Sequence, residues 1–137
     1  MRQIARTFRE LEIWQLAVLI AKHTYVLTQQ LPEEERYGLV SQMRRAAVSL
    51  SANIAEGFRR QSPKEFRQFL RVALGSAAEL ESFCELCHEL FDGRFPQLDE
   101  LLAQLDRFDR MTNAMHAKLR LPSHPVTQSP SHKLSCD

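Results

Sequence analysis

Turn-forming residues are scarce in this sequence of 137 residues: four glycines and six prolines occur, and three of the prolines fall in the last sixteen positions. An all-β chain needs a turn signal about every 8–12 residues, so the body of the chain reads as helical. Long hydrophobic runs are missing too. The longest apolar stretch, from Ile13 to Ala21, is interrupted by Gln15 and follows Glu10 and Glu12, well short of the roughly 20 residues that span a bilayer. Those acids and Trp14 also do not fit the cationic start, apolar segment and small-residue cleavage site of a secretory signal. The expected location is the cytoplasm, away from any membrane. Three cysteines, Cys84, Cys87 and Cys136, are an odd number with two of them close together. They do not make the disulfide framework of a small secreted domain, and reduced thiols are expected. No Gly-rich phosphate loop and no repeated Glu-x-x-His motif occurs, and the five histidines, at 23, 88, 116, 124 and 132, are scattered. No nucleophile, base and orienting group converge, so the chain is not expected to be an enzyme or to need a cofactor.

What is present is helical periodicity. A hydrophobic content of 44% suits one packed domain. Leu11, Trp14, Val18, Ala21, Tyr25 and Thr28 form one seam spaced three and four apart, and Ile13, Ala17, Ile20, Thr24, Leu27 and Leu31 form a second beside it. Pro32 is expected to end this first helix. The second runs from near Leu39 to about Arg59, burying Met43, Ala47, Leu50, Ile54 and Phe58, with small residues that admit a close neighbour and Gly57 weakening its last turn or helping to end it. The third opens at Ser62-Pro63-Lys64-Glu65, a capping serine with proline at the first helical position and glutamate placed to close a capping box. Its core seam continues through Phe66, Phe69 or Leu70, Ala73, Ala77, Leu80, Cys84 and Cys87 to Phe91, before a stop at Asp92-Gly93. The fourth starts near Pro96 and shows Leu98, Leu101 or Leu102, Leu105, Phe108, Thr112, Met115 and Leu119 on one face. These features predict an all-α, antiparallel up-down-up-down four-helix bundle over residues 1–121. From Pro122 onward the apolar period vanishes, and residues 122–137 are expected to form a disordered tail.

Cys84-Glu85-Leu86-Cys87-His88 matches the short pattern for covalent haem attachment and the start of a metal or redox site. Zinc would need four ligands, and the next cysteine is far away at Cys136. Both cysteines also fall on the core seam, where a free thiol behaves as a small hydrophobe, so packing is the favoured reading.

Charge is unevenly spread. Residues 36–71 hold eight Lys/Arg against two Glu, and residues 72–137 hold six against ten Asp/Glu. Arg44, Arg45, Arg59, Arg60, Lys64, Arg67 and Arg71 all belong to the hairpin of the second and third helices. On the third helix cations come first and Glu79, Glu81, Glu85, Glu89 and Asp92 follow, the reverse of what a helix dipole favours. A compensating partner outside that helix is expected. An RNA backbone is one candidate and another subunit is a second, beside an ordinary solvated face.

The run from Tyr37 to Leu50, YGLVSQMRRAAVSL, followed by Ala52-Asn53-Ile54-Ala55-Glu56-Gly57, resembles the bacterial four-helix bundle family of 23S rRNA intervening-sequence proteins. Lys64-Glu65-Phe66 with Phe69-Leu70, Gly75-Ser76 with Glu79-Leu80-Glu81, and Leu11 with Trp14-Gln15 extend the likeness over about residues 8–91. The resemblance implies a ring-like homopentamer related to accessory proteins of diversity-generating retroelements, which bind a reverse transcriptase and nucleic acid through basic surfaces. It implies a basic role at Arg44, Arg45, Arg60 and Lys64. The sequence departs from the family at Ser51, where proline is frequent, and at Cys84 and Cys87, where aliphatic residues and alanine are usual. The function expected is thus a non-catalytic, oligomeric bundle that binds RNA or a ribonucleoprotein through the seven basic residues, with a scaffold docking a protein partner such as a reverse transcriptase as the alternative.

Overall fold

The computed structural model describes residues 4–120 of the chain. The tail expected from Pro122, and Cys136 within it, lie outside the described residues. Four helices follow one another: α1 (Glu12–Thr28), α2 (Ser41–Arg59), α3 (Pro63–Phe91) and α4 (Gln97–Lys118). Each packs on its sequence neighbour, and α4 returns to α1. Contacts between opposite ends set the antiparallel sense: Met43 near the start of α2 meets Cys87 near the end of α3, while Arg67 early in α3 reaches His116 late in α4. The up-down-up-down bundle read from the periodicity is the fold.

The core is built from the predicted seams. Ile20, Leu50, Ile54, Leu70, Leu80, Leu98, Leu105 and Phe108 have no exposed surface. Of the two seams on α1, the one through Ile13, Ala17, Ile20, Thr24 and Leu27 faces the core. Along the other, Val18 and Ala21 are half-buried and Tyr25 is 41% exposed. Phe58 is also half-buried, edge-on to Phe66, because Gly57 beside it takes the inward position on α2.

Helix α1 ends at Thr28, ahead of Pro32, with the chain tightening through Gln30 N to Leu27 O at 3.0 Å and Leu31 N to Thr28 O at 3.2 Å. The hydroxyls of Thr24 and Thr28 donate to carbonyls one turn back, to Ile20 O and Thr24 O at 2.8 Å each, competing for the helix's own acceptors. Arg44 then reaches over from α2, its Nε donating to Thr28 Oγ1 at 2.9 Å and its guanidinium lying over the Tyr25 ring. The chain crosses to α2 through a short 3-10 turn at Glu33–Glu35 and a π-helical turn at Arg36–Val40. At α3, Ser62 Oγ accepts from Glu65 N at 3.2 Å, as its spacing predicts. The expected capping box stays half-made, because the Glu65 carboxylate turns to Arg60 at 3.3 Å.

The α2–α3 contact is the most extensive in the bundle. Ser49 and Ser76 share a hydrogen bond of 2.8 Å across it. At Gly57 the helices come close enough that a Cβ would lie 2.5 Å from Phe69 Cβ. The glycine serves this approach and does not act as a helix terminator, which the sequence alone suggested.

A basic end assembled from four helix termini

Antiparallel packing brings the start of α1, the end of α2, the start of α3 and the end of α4 to one end of the bundle. Each brings cations: Arg6 and Arg9 just before α1, Arg59 and Arg60 at the end of α2, Lys64, Arg67 and Arg71 at the start of α3, and Lys118 and Arg120 at the end of α4. Among the described residues, Arg60 is the one of these nine that stands in carboxylate ion pairs, with Glu56 at 3.1 Å and Glu65 at 3.3 Å. Such exposed pairs contribute little to stability, on the order of 0–1 kcal/mol. They do, however, occupy the guanidinium.

The seven basic residues picked out from the sequence therefore separate. Arg59, Arg60, Lys64, Arg67 and Arg71 share the basic end. Arg44 and Arg45 lie at the other end of α2, about 20 Å away at 1.5 Å of rise per residue. There Arg44 is tied to the end of α1, and Arg45 donates to Gln42 Oε1 at 2.8 Å. Sequence reasoning missed Arg6, Arg9, Lys118 and Arg120 as members of the same surface. The available signal was topological: in an up-down bundle, cations near residues 6–9 and 118–120 belong beside those near 59–71.

The reversed charge order of α3 has an explanation inside the fold. The start of α3 lies against the carbonyl ends of α2 and α4, where cations are favoured. Arg67 Nε donates to His116 O, a terminal carbonyl of α4, at 3.3 Å. Neighbouring helices supply the compensation that the sequence led one to seek in an external partner. What the dipole does not account for is the number of cations gathered, several of them free.

His116 lies among these groups. Its Nε2 is buried with no hydrogen-bond partner among the described residues. Burial, followed by the charges of Arg67, Arg71 and Arg120, holds its pKa below the usual imidazole value, so it is neutral near pH 7. At the opposite end, His88 Nε2 and Asp99 Oδ1 are 3.1 Å apart.

Two recesses border the basic end on the α1–α2 side. One, of about 160 Å³, is lined by Arg6, Thr7, Phe8, Arg9, Phe58, Arg59 and Gln61. The other, an open groove of about 510 Å³, is lined by Phe8, Ala52, Ala55, Glu56, Arg59 and Arg60. Phe8 and Arg59 belong to both. Further along the same helix pair, Val18, Ala21, Lys22, Tyr25, Val26, Val48 and Ser51 line a mainly apolar groove of about 490 Å³.

Cys84 and Cys87 are fully buried and free. Cys87 Sγ lies 3.9 Å from Met43 Sδ, and no group of three or more His, Cys, Asp or Glu able to hold a metal occurs among the described residues. Burial raises the Cys84 thiol to about 12 and the Cys87 thiol to about 11, from 9.0. Both are thus poor nucleophiles in the folded chain. In a Cys136→Ser background, neither thiol should react with a thiol-specific chromogen at pH 8 until denaturant is added, when both should. A raised thiol pKa carries stability that is present below about pH 9 and lost as pH climbs through 11 to 12. Alkaline titration of the far-UV circular dichroism should show unfolding in that window.

Comparison with known proteins agrees with this architecture. The model of a family described as 23S rRNA-intervening sequence protein matches residues 9–114. The crystal structure of a protein of unknown function from the S23 ribosomal protein family of Bacteroides thetaiotaomicron superposes with a TM-score of 0.69 at 21% identity, covering 76% of this chain and 97% of that one. At that identity the likeness speaks for the fold alone. No curated protein matches the chain. Among the described residues, no helix is long and apolar enough to cross a membrane.

Proposed function

The chain belongs to the 23S rRNA-intervening sequence protein family, and from that premise we propose that it is a non-catalytic, oligomeric bundle that binds structured RNA, or a ribonucleoprotein, through its basic end. The observation that carries the reading is the meeting of nine cations from four helix termini on one surface, with Arg60 alone in carboxylate ion pairs among the described residues. Gathering like charges costs stability unless counter-charge arrives, and a phosphate backbone supplies it in dense, regular form. Lys64, Arg71, Lys118 and Arg120 are exposed and have no side-chain hydrogen bond or ion pair within the described chain, so they are open to phosphates. The cytoplasm, where RNA is abundant, fits this activity.

Binding of a fluorescent structured RNA, measured against salt between 50 and 200 mM, tests the proposal. Affinity should fall steeply, with a log–log slope of about −3 to −5 if four or five phosphates are neutralised. Absence of binding at 50 mM salt would refute it.

Oligomerisation is the second part of the reading. One side of the bundle exposes Tyr25, Val26 and Val48, at 41%, 55% and 43%. Another exposes Val72, Leu86 and Leu90 along α3. Two different apolar faces on one chain suit a head-to-tail contact, which closes into a ring when the rotation allows, as in the homopentamer implied by the family resemblance. A reverse transcriptase or other protein partner would compete for the same faces. Sedimentation of Val26→Glu with Val48→Glu should show loss of the oligomer, and an unchanged sedimentation coefficient would exclude this face.

A further inference from the structure

Three arginines, Arg6, Arg9 and Arg59, are among the residues that line the recess of about 160 Å³ beside Phe8. None of them is in an ion pair among the described residues. The guanidinium carbons of Arg9 and Arg59 lie 4.7 and 5.5 Å from the centre of the Phe8 ring. They are therefore no more than about 10 Å apart, the sum of those two distances. Two carboxylates lie near, and neither makes an ion pair with these three arginines among the described residues: Glu10 Oε1 accepts from the backbone N–H of Arg6 at 3.0 Å, and Glu56, which lines the adjoining groove, pairs with Arg60. The recess is thus concave, with three arginines and the aromatic Phe8 in its lining. Its volume corresponds to roughly five waters at about 30 Å³ each, room for one solvated tetrahedral anion. Beside it, sharing Phe8 and Arg59, runs the open groove over Ala52 and Ala55.

We infer that this pair of recesses binds one nucleotide, its phosphate held by Arg6, Arg9 and Arg59 and its base laid on the groove over Ala52 and Ala55 beside Phe8. The inference deepens the RNA-binding reading and rests on it, because it specifies where a nucleotide unit would sit. Guanidinium groups match phosphate oxygens with forked, charge-assisted hydrogen bonds. A nucleobase is flat and largely apolar across its face, and the small side chains of Ala52 and Ala55 leave room for it. Phe8 lines the groove as well as the recess, so an aromatic side chain borders the place of the base. A carboxylate-bearing peptide would satisfy the arginines and leave the groove unused, so the joined charge and apolar surface favour a nucleotide.

The test is titration of the full chain with adenosine 5′-monophosphate, followed by amide chemical shifts and calorimetry. Saturable binding is expected, with shifts at Thr7 and Gln61 and with displacement by inorganic phosphate. Adenosine without phosphate should bind at least about tenfold more weakly, as should the monophosphate to Arg9→Ala with Arg59→Ala. Arg59→Lys should recover part of the loss. A 5′-phosphorylated tetranucleotide binding more tightly than the monophosphate identifies a strand as the ligand, and equal affinity identifies a free nucleotide. Equal binding of adenosine and its monophosphate, an unaffected double variant, or displacement by a glutamate-rich peptide as effective as that by phosphate would each overturn the assignment. The two readings fail separately. If structured RNA binds and no mononucleotide does, the recess is wrong and the basic end stands; if the mononucleotide binds and structured RNA does not at low salt, the reverse holds.

Discussion

Gly57→Ala should lower the melting temperature by roughly 5–10 °C, through a loss of about 1–3 kcal/mol. The added Cβ would meet Phe69 Cβ at 2.5 Å, Phe66 Cδ1 at 3.0 Å and Phe69 Cγ at 3.1 Å. Phe66 could rotate its ring aside, but Phe69 Cβ is fixed to the backbone of α3, so the helices themselves must separate. That opens the α2–α3 contact, where Ser49 meets Ser76 and Phe66 packs against Phe58. The helix-forming gain of alanine over glycine, about 0.5–1 kcal/mol, offsets only part of the cost. Gly75→Ala is the internal control. It lies mid-helix on α3 with nothing within 4 Å of a built Cβ, so the propensity gain is unopposed and the melting temperature should rise by about 2–4 °C. Circular dichroism melts of the two variants should shift in opposite directions. Equal shifts would mean that the close approach at Gly57 is absent in solution.

The largest effect on binding is expected from Arg71→Glu with Arg120→Glu. Both side chains are exposed, and neither makes a hydrogen bond or ion pair within the described chain, so reversal removes no side-chain contact of the bundle. Both act electrostatically on His116, which places them at the same corner of the basic end. Losing two phosphate contacts should make the salt slope shallower by about two. With repulsion added, affinity for structured RNA at 50 mM salt should fall by roughly 100-fold, since each lost contact costs about one power of ten under those conditions. Arg60 and Arg67 are poorer choices, although both stand out in the sequence. Arg60 links Glu56 to Glu65, and Arg67 donates to the end of α4, so reversing either disturbs the bundle as well as the surface. Charge reversal at Arg44 should instead reduce stability with little effect on RNA, because its partners are Thr28 and Tyr25. Unchanged RNA affinity in the Arg71–Arg120 variant, with an intact melting curve, would remove the basic end as the binding surface.

Much of the architecture was written in short-range pattern. Four apolar periods, the cap at Ser62-Pro63, the stop at Asp92-Gly93 and the burial of Cys84 and Cys87 follow from spacings of three, four and seven, because these are interactions within a helix or across one helix face. The same information pointed to the family, since most of its motif residues lie within single helices. Three features were decided by packing between residues far apart in the chain. The choice between the two seams of α1 depended on where α2 and α4 came to rest. The roles of Gly57 and Gly75 look alike in sequence and differ in space, one pressed against Phe69 and the other facing open surroundings. The basic surface was legible only in its central stretch, from Arg59 to Arg71. Its outer members, Arg6, Arg9, Lys118 and Arg120, come from the two ends of the bundle-forming sequence, and Arg44 and Arg45 drop out of it. Periodicity tells a helix which face to bury, but antiparallel packing determines which termini meet, and so which charges share a surface.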